Sequence, residues 1–149
     1  MSGFLPWNRV SHRLRNAESY WVCTTRPDGR PHGMPVWGLW DGEALWFGSG
    51  LESVKARNLT NNPYAQLHLE SAEDVVILEG PVERIRDNEL GHAIIRRIAA
   101  KYETPVEALA YAEDLGADSG GALFALRPKQ ALAWLEGAFD QTHSRYELT

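Results

Sequence analysis

Apolar and polar positions along this chain follow two different periods, and the period switches in blocks. Between residues 4 and 17, Trp7, Val10, Leu14 and Ala17 fall at helical spacing, which predicts an N-terminal helix. SYWVCTT (19–25) is β-branched and aromatic, a strand pattern. RPDGR (26–30) carries Pro, Asp and Gly in turn order and predicts a hairpin into a second strand, PHGMPVWGLW (31–40). Asp41-Gly42 is a two-residue hairpin signal, and EALWFGS (43–49) is the third strand.

The meander then stops at SGLESVKARNLTNNP (49–63). Ser53 suits an N-cap and Pro63 stops a helix, so a helix of about two turns is expected over 53–62. Strands resume with YAQLHLE (64–70) and DVVILEGPVERI (74–85), where Gly80-Pro81 predicts a bulge or an edge. Asp87 can cap a longer helix over 87–103, with Leu90, Ile94, Ile98 and Tyr102 as its apolar stripe. TPVE (104–107) has the form of a capping box and predicts a helix over 105–115. GALFALRP (121–128) and QALAWLEG (130–137) read as the last strands, and Ala138 to Thr149 as a short polar tail. The sum is mainly β: six or seven antiparallel strands in a closed or partly closed barrel with flanking helices. The order lacks the helix after nearly every strand that a doubly wound sheet requires.

Composition narrows the function classes. The 149 residues suit one domain, 1–149, able to bury a core without metals or disulfides. A net charge of −5 argues against nucleic-acid backbone binding, though it permits a small local anion site. Cys23 is the single cysteine, so an internal disulfide and a cysteine-based zinc site are both ruled out, as in a reducing cytoplasm. Residues 1–19 hold no signal-peptide core, and no window approaches a membrane span of ~18 apolar residues.

Most enzyme signatures are missing. The chain has no GxGxxG, Walker loop, GxSxG or HExxH. The histidines at 12, 32, 68, 92 and 143 are scattered; His32 and His68 lie on different strands that could meet, with no local support for a metal. Cys23 reads as a small buried hydrophobe and Glu79 as a rim carboxylate. Trp37, Trp40, Trp46 and Phe47 read as core first and pocket second. No catalytic dyad emerges. Ser53, Lys55, Arg57 and Asn58 read either as a solvated helix face or as an anion seat. A helix N-terminus offers N–H donors and partial positive charge, and Lys and Arg together suit a phosphate dianion. Lys55 and Arg57 diverge on a regular helix, so a shared phosphate requires Lys55 in the first turn.

The order of these segments, with KARNL followed by NP after the third strand and DGRPH…PVWG before it, resembles the pyridoxamine 5′-phosphate oxidase-like split barrels. That family comprises FMN-binding proteins and relatives that use the deazaflavin coenzyme F420. The likeness spans Ser19 to Asp87 and lies nearest the F420-using branch; the substrate-phosphate residues of true pyridoxamine phosphate oxidases have no good match. It implies an oxidoreductase that binds FMN or F420 and passes hydride or electrons to a planar or apolar small molecule. Ser53, Lys55, Arg57 and Asn58 would hold the phosphate; Met34, Pro35, Val36 and Trp37 would run beneath the ring. Phe47, Gly48, Ser49 and Gly50 would lie beside the ribityl chain. It further implies a homodimer with cofactor sites at the interface, completed from the partner by Trp134 or Arg145. Arg9, Arg13, Arg15 and Arg26 are candidates for the oligoglutamate tail of F420. A non-catalytic flavin-binding or storage protein, or a barrel binding a hydrophobic ligand without phosphate, would share much of the pattern.

Overall fold

The computed structural model describes residues 4–109 and 113–149. Its strands are β1 (Tyr20–Thr25), β2 (Pro31–Val36), β3 (Leu39–Trp40), β4 (Leu45–Gly50), β5 (Tyr64–His68), β6 (Asp74–Ile85), β7 (Gly121–Leu126), β8 (Gln130–Leu135) and β9 (Ser144–Glu147). Its helices are α1 (Trp7–Asn16), α2 (Val54–Asn61), α3 (Asn88–Lys101) and the single turn α4 (Phe139–Thr142). The strands pair antiparallel in the order β2-β1-β5-β6-β7-β4-β3, with β8 joined to β6 and β9 to β8. The chain is a split barrel of two sheets that share β6.

β6 is long enough to serve both sheets. Residues 74–81 pair with β5 and β8, and residues 82–85 pair with β7. The change of partner falls at Gly80-Pro81. A Cβ on Gly80 would meet the backbone of residues 127–129, with Arg127 O at 2.5 Å, so only glycine admits this crossing.

Two apolar clusters follow from the alternation. Inside the barrel lie Val10, Leu14, Tyr20, Val22, Trp40, Phe47, Leu67 and Leu78, with α1 closing one end. Trp46, Ile85, Leu123 and Ala125 point the other way from β4, β6 and β7 and pack under Ile94, Ile95, Ile98 and Ala99 of α3. Both faces of the second sheet are therefore buried. The outward face of the first sheet, carrying Trp21, Ile77, Leu132 and Trp134, is met among the described residues only by the single-turn α4, whose Phe139 packs on Trp134. Arg9 and Arg13 of α1 grip Asp74, Arg9 with both nitrogens at 3.1 and 2.8 Å.

The strand expected over 31–40 breaks at Trp37-Gly38. There the chain leaves the first sheet for the second, and Gly38 lies 3.0 Å (as a virtual Cβ) from Trp46 O and 3.1 Å from the Tyr20 ring. At the Asp41-Gly42 turn the Trp40↔Leu45 register continues in a bond from Asp41 N to Ala44 O at 3.2 Å, so Gly42 and Glu43 turn the hairpin, and the Asp41 carboxylate accepts from the Glu43 and Ala44 amides at 2.8 Å. Within the expected helix over 105–115 the described residues show a 3₁₀ turn at Val106–Ala108 with no side-chain cap hydrogen bond; residues 110–112, and that part of the expectation, lie outside the described residues. Leu109 and Leu115 pack into the second core. The α3 stripe is rotated from the expected one: Leu90 is exposed and Gly91 buried. The tail is no loop. Ser144 is buried and accepts from Leu5 N at 2.8 Å, and β9 extends the sheet. The break at Trp37-Gly38 and β9 together bring the count to nine strands among the described residues.

Candidate functional site

β2 and the β3–β4 hairpin are the two ends of the strand order, so their edges face the split of the barrel. β2 pairs only with β1, which leaves one row of its backbone groups unpaired. β4 pairs with β3 only through Leu45 and Trp46, so the same edge of Phe47–Gly50 is also free. α2 bridges the opening, touching β1, β2 and β4.

Ser53 and the Lys55, Arg57 and Asn58 of KARNL take four different positions on α2. Ser53 caps α2, its hydroxyl accepting from Ala56 N at 3.1 Å. Lys55 is the second helical residue, in the first turn as its spacing requires, and is half-buried. Its Nζ donates to Ser49 Oγ at 2.9 Å, and Ser49 Oγ lies 2.7 Å from Ser53 Oγ. The N–H groups of Val54 and Lys55 head the helix without intrahelical acceptors. Arg57 stands exposed on the next turn. Asn58 points inward instead: it is buried, and its Nδ2 donates to Thr24 Oγ1 of β1 at 3.0 Å. Asn58 thus anchors the helix.

Alternation on β2 brings a residue that sequence reading left among scattered histidines. His32 pairs with buried Thr24, so it shares the inner face of β2 with Met34 and Val36. Its Nδ1 is closed off from solvent and has no hydrogen-bond partner. Burial, Arg26 and Lys55 together hold its protonation below the ordinary histidine range. Burial lowers the Lys55 ammonium as well. Among the described residues, no carboxylate lies in ion-pair range of Lys55, Arg57 or His32. The signal in the sequence was the two-residue step from Val36 through Met34 to His32.

At the other end of β2, Trp37 is 48% exposed and stacks on Tyr102, centroids 4.4 Å apart and 3° from parallel. Lys101 Nζ donates to Tyr20 Oη at 2.9 Å and to Gly38 O at 2.8 Å. Burial pulls its pKa down to about 8. A cavity of about 370 Å³ opens here between Arg15, Glu18, Trp37 and Lys101.

The remaining candidates are placed elsewhere. Trp134 and Arg145 sit on the outward face of the first sheet, separated from β2 by β1, β5 and β6. Trp134 packs edge-on to Phe139 at 5.6 Å. With the Gln130 amide turned to suit its neighbours, it donates to Glu79 and accepts from Arg145. Phe47 is wholly buried, so only its backbone edge faces the split. His68 stacks on Trp21 on the outward face, opposite to His32, and the two do not meet. No cluster of metal-ligating side chains exists among the described residues. The Cys23 thiol is raised by burial, against a nucleophilic role. Among the described residues, no helix is long and apolar enough to cross a membrane.

A family model described as pyridoxamine 5′-phosphate oxidase matches residues 8–135. No curated protein matches the chain. Among solved structures, an F420 reductase is 25% identical over 81% of this chain and 94% of its own, with a TM-score of 0.64. A conserved hypothetical protein of Mycobacterium tuberculosis is 19% identical over 91% and 88%, with a TM-score of 0.75. The heme storage protein HutZ of Vibrio cholerae is 18% identical over 85% and 92%, with a TM-score of 0.69. The last two likenesses concern the fold.

Proposed function

This chain belongs to the pyridoxamine 5′-phosphate oxidase family, and from that premise we propose that it is a homodimeric oxidoreductase holding FMN or coenzyme F420 in the split of the barrel. The observation that carries this reading is Lys55 and His32 at the head of α2, with Arg57 exposed on the same helix, none of them with a carboxylate in ion-pair range among the described residues. A phosphate dianion supplies the missing charge, and it accepts from the Ser53 hydroxyl and the free amides of the helix. The orphaned His32 Nδ1 agrees with a polar ligand at this place.

The other residues fall into place along the opening. The free edge of β2 offers N–H and C=O groups to the polar rim of a flat ring; Pro35 offers only its carbonyl. The free edge of Phe47–Gly50 lies beside the chain that joins ring to phosphate. Bound there, the cofactor supplies the hydride chemistry; the protein binds, orients and screens it from water. No acid–base dyad is required. The outward apolar face of the first sheet suits a second copy, which would bring its Trp134 or Arg145 to the first copy's site.

Titration with FMN, F420 and riboflavin tests the reading. FMN or F420 binds, and riboflavin, lacking the phosphate, binds far more weakly. The double variant Lys55→Ala, Arg57→Ala loses FMN and F420 while its melting curve persists. Unchanged affinity in that variant sinks the phosphate seat. Turnover across an acceptor panel separates an oxidoreductase from a storage protein.

A further inference from the structure

We propose that His32 is a further member of the anion seat and that it takes up a proton when a phosphate group binds there. The inference rests on the phosphate reading above and adds a residue and a proton to it.

The placement comes first. His32 is on the inner face of β2, beside Thr24 of β1, whose hydroxyl is held by Asn58 of α2. The imidazole therefore faces the same helix that carries Lys55. The charged groups that act on it are Arg26, from the β1–β2 turn, and Lys55; its cross-strand neighbour Thr24 is neutral. Arg26 is itself fixed, donating to Pro31 O at 2.8 Å. Nδ1 is buried with no partner, a condition that native proteins seldom leave unexplained.

The sign follows from these neighbours. Two cations and partial burial make a positive charge on the imidazole unfavourable while the seat is empty. A doubly charged phosphate between Lys55 and His32 reverses that sum, because opposite charge within a few ångströms favours the charged form. The proton comes from the buffer and resides on the imidazole, and no bond of the ligand is broken. Affinity for a phosphate dianion therefore falls as pH rises through the neutral range.

Calorimetry on the intact protein tests this. FMN is titrated at pH 7 in two buffers of different ionisation enthalpy, then across pH 6.5 to 8. The expected result is uptake of a substantial fraction of one proton and an affinity that drops several-fold per pH unit. His32→Asn abolishes the uptake over this range, flattens the profile and weakens FMN about tenfold or more, while riboflavin is unaffected. Lys55→Met weakens FMN but keeps the slope, which separates His32 from a titrating Lys55. FMN binding without proton uptake, or a His32→Asn profile that matches wild type, overturns the inference and leaves the phosphate reading standing. Failure of wild type to bind either FMN or F420 overturns both.

Discussion

Gly80 and Gly91 set up a test in which distance alone gives the wrong order. A Cβ at Gly91 would lie 2.1 Å from Leu115 Cδ1, closer than any contact at Gly80. Leu115 Cδ1, however, is the end of a side chain that can rotate, and Gly91 lies within α3. Replacement by Ala there gains ~1 kcal/mol of helix propensity against ~1–3 kcal/mol of overpacking. The net cost of Gly91→Ala is about 0–2 kcal/mol. At Gly80 the three obstacles are all backbone: Arg127 O at 2.5 Å, Pro128 Cα at 2.8 Å and Lys129 N at 2.9 Å. Moving them breaks Arg127 N to Pro81 O and Lys129 N to Glu79 O, which close the β7–β8 turn onto β6. Two hydrogen bonds at ~1 kcal/mol each, added to the overpacking, put Gly80→Ala at about 3–5 kcal/mol. For a chain of this size that is a fall of roughly 6–20 °C in Tm. Denaturant melts of the two variants at equal protein concentration read the difference. If Gly91→Ala proves the less stable of the pair, the rigidity assigned to the β6 crossing is wrong.

Other consequences can be measured directly. Lys101 has its pKa pulled down to about 8 by burial, from 10.5 when unfolded, so the folded state disfavours its charge. That cost is absent above the unfolded value, grows as pH falls from 10.5 to 8, and is constant below. Lys101→Met should gain on wild type by roughly 1–2 kcal/mol between pH 10.5 and 8, the full shift being discounted for the half-exposed side chain; a difference that is flat with pH refutes it. Asp74→Ala leaves Arg9 and Arg13 without their shared carboxylate and should cost about 1–3 kcal/mol in urea melts by releasing α1. Asn58→Ala should lower stability by about 1–2 kcal/mol, by removing the buried bond to Thr24, yet preserve the preference for FMN over riboflavin. Loss of that preference at full stability would return Asn58 to the phosphate.

Local pattern was enough to place seven strand segments and three of the helices, because alternation, Pro-Gly turns and caps such as Ser53 and Asp87 act over a few residues. It also placed Lys55 in the first turn, since Ser53 fixes where the helix begins. The 3₁₀ turn at Val106–Ala108 departs from the helix start that TPVE suggests, because a capping box is a local signal and the burial of Leu109 in the core under α3 is not. The strand at 144–147 escaped because its reason is Leu5, far away in the chain, bonded to Ser144.

The sequence by itself determined a mainly β chain with a basic helix start after its third strand, and a likeness that drew attention to that stretch. Tertiary structure decided the rest. Only the pairing of β1 with β2 turns His32 towards Lys55, and only the packing of α2 on β1 brings Thr24 to the buried Asn58 amide. A charged cluster without its counter-charge is a relation between strands and a helix that meet across a split, and no window of residues contains it.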